Sequence, residues 1–284
     1  MKKNFNPDKL VECANILYNE NKLSEAMTFY EDASKIYIPN SLNYSICFIN
    51  IGNVFFKQGN LDNALLKYNE ALKILESIAP DSDDHANTLD NISLVYEQKK
   101  MPIDGLEYQL KALKIYQKIS PNSVKFAKSL NKLGELYQKI GKPDSADECY
   151  SNALAILENK DLDDSFDRAK TFQDIGFNYK KIYKYDEALN CFERESEILK
   201  KIDPKNDYLA HSYLNIGDIH KEKGNHRLSL FYYKKAKENS TNPVISSDCK
   251  RLIAGAFEGL GRTDKAGDMY RDVFLSRFEE DRGR

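Results

Sequence analysis

Residues 129–142, SLNKLGELYQKIGK, run directly into residues 143–158, PDSADECYSNALAILE, and together they decide the fold. Leu130, Leu133, Gly134 and Tyr137 fall at i, i+3, i+4 and i+7, on one face of a helix, and Ala146, Tyr150 and Ala153 share a face of a second. Gly141 stands where the first helix stops, and Pro143 takes a first helical position, where its missing N–H costs nothing. The two faces predict an antiparallel helical hairpin. Gly134 and Ala146 let the helices approach closely, while Tyr137 and Tyr150 fill the volume beside them.

Outward from this hairpin the pattern repeats. The small residue of the second helix recurs at Ala26, Ala64, Gly105, Ala146, Ala188, Ser229 and Ala266, at intervals of 38, 41, 41, 42, 41 and 37 residues. Such regularity predicts an all-α solenoid of about seven antiparallel helical hairpins, since each hairpin can cover its apolar face only against a neighbour. The expected repeats are residues 7–40, 45–80, 86–121, 127–160, 169–204, 210–242 and 247–280, in a single array over residues 1–284.

Composition agrees. A hydrophobic fraction of 41% and a charged fraction of 30% suit a helical protein with much exposed surface. A net charge of −2 provides no basic field for nucleic acid. No apolar leader follows Lys2 and Lys3, and nowhere do enough apolar residues run together to span a membrane, so a cytoplasmic protein without membrane insertion is expected. The five cysteines are scattered, without metal-ligand spacing, and read as packing residues of a reducing compartment.

The repeating residues are Gly52, Phe55, Ala64, Tyr68 and Ala71; Ser93, Tyr96, Gly105 and Ala112; Gly134, Tyr137, Ala146, Tyr150 and Ala153; Gly176, Tyr179, Ala188 and Phe192; Gly217, Ser229, Tyr233 and Ala236; Ala254, Phe257, Ala266 and Tyr270; with Ala14, Leu17, Ala26, Tyr30 and Ala33 as a weaker first copy. This pattern resembles the tetratricopeptide repeat, and its long period is similar to the kinesin-light-chain subtype. The resemblance implies a right-handed superhelix with the first helix of each repeat lining a concave groove. Repeat three departs from the pattern with Gly105 and Gln109. An interior glycine costs about 1 kcal/mol relative to alanine, so Gly105→Ala is expected to stabilise the chain. Glu195 and His220 are the other departures, His220 reading as a core histidine.

On that resemblance the groove carries Asn50, Asn53, Asn87, Asp90, Asn91, Lys128, Asn131, Lys132, Lys170, Gln173, Asp174, His211, Asn215 and Asp218, with an apolar patch of Ile46, Ile49 and Phe56. Asn and Gln both donate and accept, which suits the backbone of an extended peptide. Asn53, Asn91, Lys128 and Lys132 resemble the carboxylate clamp by which some family members hold acidic tails, with Ile49 where that clamp has its first lysine. The candidate peptide-binding residues are therefore Ile49, Asn53, Phe56, Asn91, Lys128, Asn131, Lys132, Lys170, Gln173 and Asn215.

Other chemistry is weaker. Gly259–Arg262 follows no strand and lacks a phosphate-loop ending, residues 161–167 lack the glycine and glutamate of a calcium loop, and no nucleophile has a base at readable spacing. No catalytic residue, metal or cofactor is expected. Val273, Phe274 and Phe278 in the last helix predict an uncovered end, to be covered either by homodimerisation there or by a further downstream domain. The expected function is a noncatalytic adaptor that binds an extended peptide or helix. The alternatives are a peptide sensor resembling pheromone receptors and a vesicle-fusion adaptor.

Overall fold

The computed structural model describes residues 6–159 and 164–282, with side chains to residue 274. All the regular structure among them is helical, and it divides into two units, Met1–Cys149 and Tyr150–Arg284.

The first unit contains α1 (Pro7–Asn19), α2 (Leu23–Ile36), α3 (Leu42–Lys57), α4 (Leu61–Ile78), α5 (Asp83–Gln98), α6 (Pro102–Ile119) and α7 (Val124–Lys139). Helix α8 (Pro143–Leu157) carries the boundary between the units within its length. The second unit continues with α9 (Phe166–Lys181), α10 (Tyr185–Ile202), α11 (Asp207–Glu222), α12 (His226–Asn239), α13 (Pro243–Gly259) and α14 (Thr263–Arg282). In each unit successive helices pair into hairpins, and each hairpin packs on the next through α2 with α3, α4 with α5, α6 with α7, α10 with α11 and α12 with α13. The fold is an all-α solenoid of helical hairpins.

Each first helix of a repeat has a polar cap. Ser41, Ser82, Ser123, Ser165 and Asn206 accept from the backbone N–H three residues on, at 3.3, 3.2, 3.1, 3.2 and 2.7 Å, satisfying donors that the helix leaves open. Each hairpin then turns on one residue in the left-handed region. Gly59, Gly141, Gly224 and Gly261 hold it with φ of 76°, 77°, 73° and 70°, and Asn21, Lys100 and Tyr183 stand at the matching turns with φ of 63°, 60° and 61°. Only glycine adopts that conformation without steric cost.

The hairpins close by ring-on-glycine packing. A Cβ built on Gly52, Gly176 or Gly217 would lie 2.5 Å from Tyr68, 2.8 Å from Phe192 or 2.6 Å from Tyr233 respectively. Repeat three inverts the arrangement, with the small residue of α5 being Ser93 and the glycine, Gly105, standing on α6. A Cβ on Gly105 would lie 2.9 Å from the Ser93 carbonyl oxygen, a backbone atom that cannot step aside. This corrects the expectation that Gly105 is a weak point. It is the residue that lets α5 and α6 meet.

The missing aromatic at Gln109 is replaced by a polar join. Gln109, 1% exposed, donates from Nε2 to Asp90 Oδ1 and to Ser129 Oγ, both at 2.8 Å, linking α6 to α5 and α7. In the second unit Gln173 Nε2 on α9 donates to Glu195 Oε1 on α10 at 2.7 Å, and Glu195 is 2% exposed. His220 stacks on Tyr232 at 5.5 Å between ring centroids, in keeping with a packed side chain.

Candidate functional site

In the first unit, α3 and α5 expose one face beside Tyr18 of α1 and form a concavity of about 520 Å³. It is lined by Ile46, Ile49, Asn50, Asn53 and Phe56 from α3, by Asp84, Asn87, Asn91 and Leu94 from α5, and by Tyr68. Four of the residues predicted from sequence, Ile49, Asn53, Phe56 and Asn91, meet here, with Ile46, Asn50 and Asn87 of the predicted groove between them. Apolar side chains thus alternate with amides across one hollow.

The amides are not equally available. Asn53 Oδ1 accepts the Tyr68 hydroxyl at 2.7 Å and Asn91 Nδ2 at 3.3 Å, so its carbonyl is committed within the fold while its Nδ2 makes no hydrogen bond among the described residues. Asn87 Oδ1 likewise takes the Tyr116 hydroxyl at 2.6 Å. Tyr30 with Asn15, at 2.6 Å, and Tyr233 with Asp218, at 2.7 Å, repeat the Asn53–Tyr68 link, which marks it as a strut of the hairpin. Asn50 has no such bond among the described residues and is the least encumbered amide of the hollow.

The lysine cluster stands apart from this hollow. Lys128 and Lys132 lie on α7 and do not line it. Lys132 Nζ is 3.8 Å from Asp90 Oδ2, a carboxylate 6% exposed on which Gln109 and Ser129 also converge. Burial raises the Asp90 pKa, with the Lys132 charge pulling it back. Asn131 and Asp90, both expected on the groove, are instead buried, Asn131 at 5% exposure. Asp90 faces Gln109 of α6 and Ser129 of α7, not the hollow.

Lys170, Gln173 and Asn215 belong to the second unit. Lys170 Nζ is 2.7 Å from Gln173 Oε1 and 2.9 Å from Asp174 Oδ1, and Gln173 passes the chain on to Glu195. Asn215 is half-buried on α11. At the last hairpin Val273 is 8% exposed and so is packed, contrary to its expected exposure, while Phe274 is 67% exposed. Phe278, and residues 161–163 of the acidic stretch 161–167, lie outside the residues whose side chains are described.

The cysteines are free, and four are buried. Burial pushes the Cys47, Cys149 and Cys249 thiols up to about 11, which suppresses the thiolate. Among the described residues no group of three metal-ligating side chains converges, and no helix is long and apolar enough to cross a membrane.

Stacked hairpins with a small-residue and aromatic signature define a helical repeat protein. A family model, the tetratricopeptide repeat, matches residues 84–159 and 167–242, and the chain belongs to that family. Among solved structures it is similar to BtubC (BKLC) from P. vanneervenii, at 23% identity and TM-score 0.58 over 69% of this chain and 80% of that one. It is similar to the apo form of RapI at 18% identity and TM-score 0.61, over 97% of this chain and 99% of that one. The STAND protein with a tetratricopeptide repeat sensor, PH0952 from Pyrococcus horikoshii, aligns at 15% identity and TM-score 0.72, over 97% of this chain and 43% of its own. No curated protein matches the sequence.

Proposed function

We propose that the protein is a noncatalytic adaptor whose first unit binds an extended segment of a partner protein in the hollow between α3 and α5. The observation that carries this reading is the meeting of Ile46, Ile49 and Phe56 with Asn50, Asn53 and Asn91 around one concavity of about 520 Å³. An apolar side chain of the partner packs on Ile46, Ile49 and Phe56. Asn50 and the Asn53 Nδ2 group bond its main chain, which fixes an extended backbone with little demand on sequence.

This reading ranks above a carboxylate clamp of Asn53, Asn91, Lys128 and Lys132. A clamp needs ammonium groups that an incoming carboxylate can hold alone, and Asp90 already shares Lys132. The partner's anchor is therefore apolar and its binding only weakly sensitive to salt.

Peptides selected by display on the wild-type chain test the proposal. Their affinity should fall roughly tenfold on Ile46→Glu or Asn50→Ala, the loss expected for one buried contact or hydrogen bond, and be kept by Lys128→Glu/Lys132→Glu. Retention in Ile46→Glu together with loss in the lysine pair would move the site to α7.

A further inference from the structure

The opposite face of α5 borders a second crevice. Asp84, Asn87, Asn91 and Leu94 face the hollow described above, whereas His85 and Leu89, one helical turn apart, face a crevice of about 470 Å³ between α4 and α6. Its floor is Leu72, Leu89 and Ile115, which are 8%, 2% and 9% exposed. Its mouth carries Lys111, Lys114 and Lys118 of α6 against Glu76 and Asp81.

The second unit contains the same crevice two repeats on, and the substitutions between them are informative. There the position of His85 is Arg168, that of Leu89 is Phe172, and that of Lys114 is Glu197, while Asp164 and Lys201 stand where Asp81 and Lys118 do. Arg168 fills that crevice from within. Its guanidinium donates from Nε to the Leu157 carbonyl at 2.9 Å, lies over the Phe172 ring at 5.9 Å and pairs with Asp164 at 3.4 Å. Arg194 and Glu197 pair along α10 at the mouth at 3.1 Å, and the remaining space is about 380 Å³. Its three cations meet three acids.

In the first unit the corresponding side chain is too short to fill the space. His85 Nδ1 turns back to donate to the Pro80 carbonyl at 2.5 Å. Lys111 is paired with Glu107 at 2.6 Å and Lys118 with Asp81, but Lys114, standing where Arg194 has its acid, makes no ion pair among the described residues. Of the three ammonium groups at the mouth, Lys114 is thus the one without an ion pair among the described residues, above an apolar floor.

We propose that this crevice is a binding site for a small organic carboxylate with a flat apolar body. The body lies on Leu72, Leu89 and Ile115, and the carboxylate meets Lys114, so that the ligand supplies the filling and the negative charge that the second unit builds from its own side chains. The volume is that of small-molecule sites, with an apolar floor beneath a charged mouth.

Saturation-transfer NMR with 4-phenylbutyrate as the probe, and 4-phenylbutanamide as its neutral counterpart, tests the site on the full chain. The carboxylate should bind saturably and the amide about tenfold more weakly, as expected for loss of one charge-assisted contact. His85→Arg, which installs the filler of the second unit, and Lys114→Glu, which installs its acid, should each reduce carboxylate binding by about the same factor, while Ile46→Glu leaves it unchanged. Lys114→Glu alters an exposed residue, so it decides the matter even where His85→Arg fails to fold. Absence of saturable binding, equal binding of the amide, or undiminished binding by Lys114→Glu would overturn the proposal.

Discussion

Gln109 Nε2 lies 2.8 Å from Asp90 Oδ1, in a place where neighbouring repeats carry an aromatic ring. Since both residues are almost wholly buried, the bond is, with the Ser129 hydroxyl and the Lys132 ammonium, what offsets the burial of Asp90. Gln109→Leu should therefore lower stability by roughly 1.5–3 kcal/mol, the range for loss of a hydrogen bond to a charged group. Adding Asp90→Leu should recover much of the loss, and chemical denaturation of the single and double variants measures both. Equal costs without recovery would mean that volume, not the hydrogen bond, is what Gln109 supplies.

Glu195 gives stability a pH dependence. One of its oxygens accepts from Gln173 and the other accepts from nothing among the described residues, and burial pushes the carboxyl up to about 8 against the nearby Ser212 hydroxyl, Gln173 amide and Lys170 charge, which pull the other way. Because the folded value lies above the unfolded one, the stabilisation is complete below pH 4.5 and is lost as the pH rises through about 8. The limiting slope is about 1.4 kcal/mol per pH unit. Glu195→Gln should flatten the stability profile between pH 5 and 8 and be the more stable protein at pH 8. Parallel profiles for the two proteins would show that Glu195 is not the titrating group.

Gly105→Ala should destabilise, by about 1–3 kcal/mol as for other overpacked sites, because the new methyl meets the Ser93 carbonyl at 2.9 Å. A melting temperature equal to that of the wild type would show that α5 and α6 can separate without loss.

Lys100 holds the left-handed turn position that glycine occupies in four other hairpins. Lys100→Gly should relieve about 1 kcal/mol of backbone strain, partly offset by the greater freedom of glycine in the unfolded chain. A rise in melting temperature of a few degrees checks this. The reverse change, Gly141→Ala, should lower it.

The helical hairpins could be read from sequence because small and aromatic residues recur at helical spacing, and packing then leaves one solution. The caps Ser41, Ser82, Ser123, Ser165 and Asn206 were equally available, each eleven residues before the small residue of its helix, but a single serine carries no signal until the period is laid over it. The site was legible in part. Ile49, Asn53, Phe56 and Asn91 do share a hollow, whereas Asp90 and Asn131 turn inward, because helical periodicity fixes the angle between side chains and not the direction of the next hairpin. The crevice beside His85 could not be read at all. It exists through the contrast with Arg168, and the contrast acquires meaning only once both side chains have a place.

The Asn15–Tyr30, Asn53–Tyr68 and Asp218–Tyr233 bonds each begin and end inside one repeat. A gene segment encoding one hairpin therefore carries its own closure with it. Duplicating, deleting or exchanging such a segment leaves these bonds intact and requires matching only at the two joints, which gives a lineage a way to change the number of repeats without redesigning any of them.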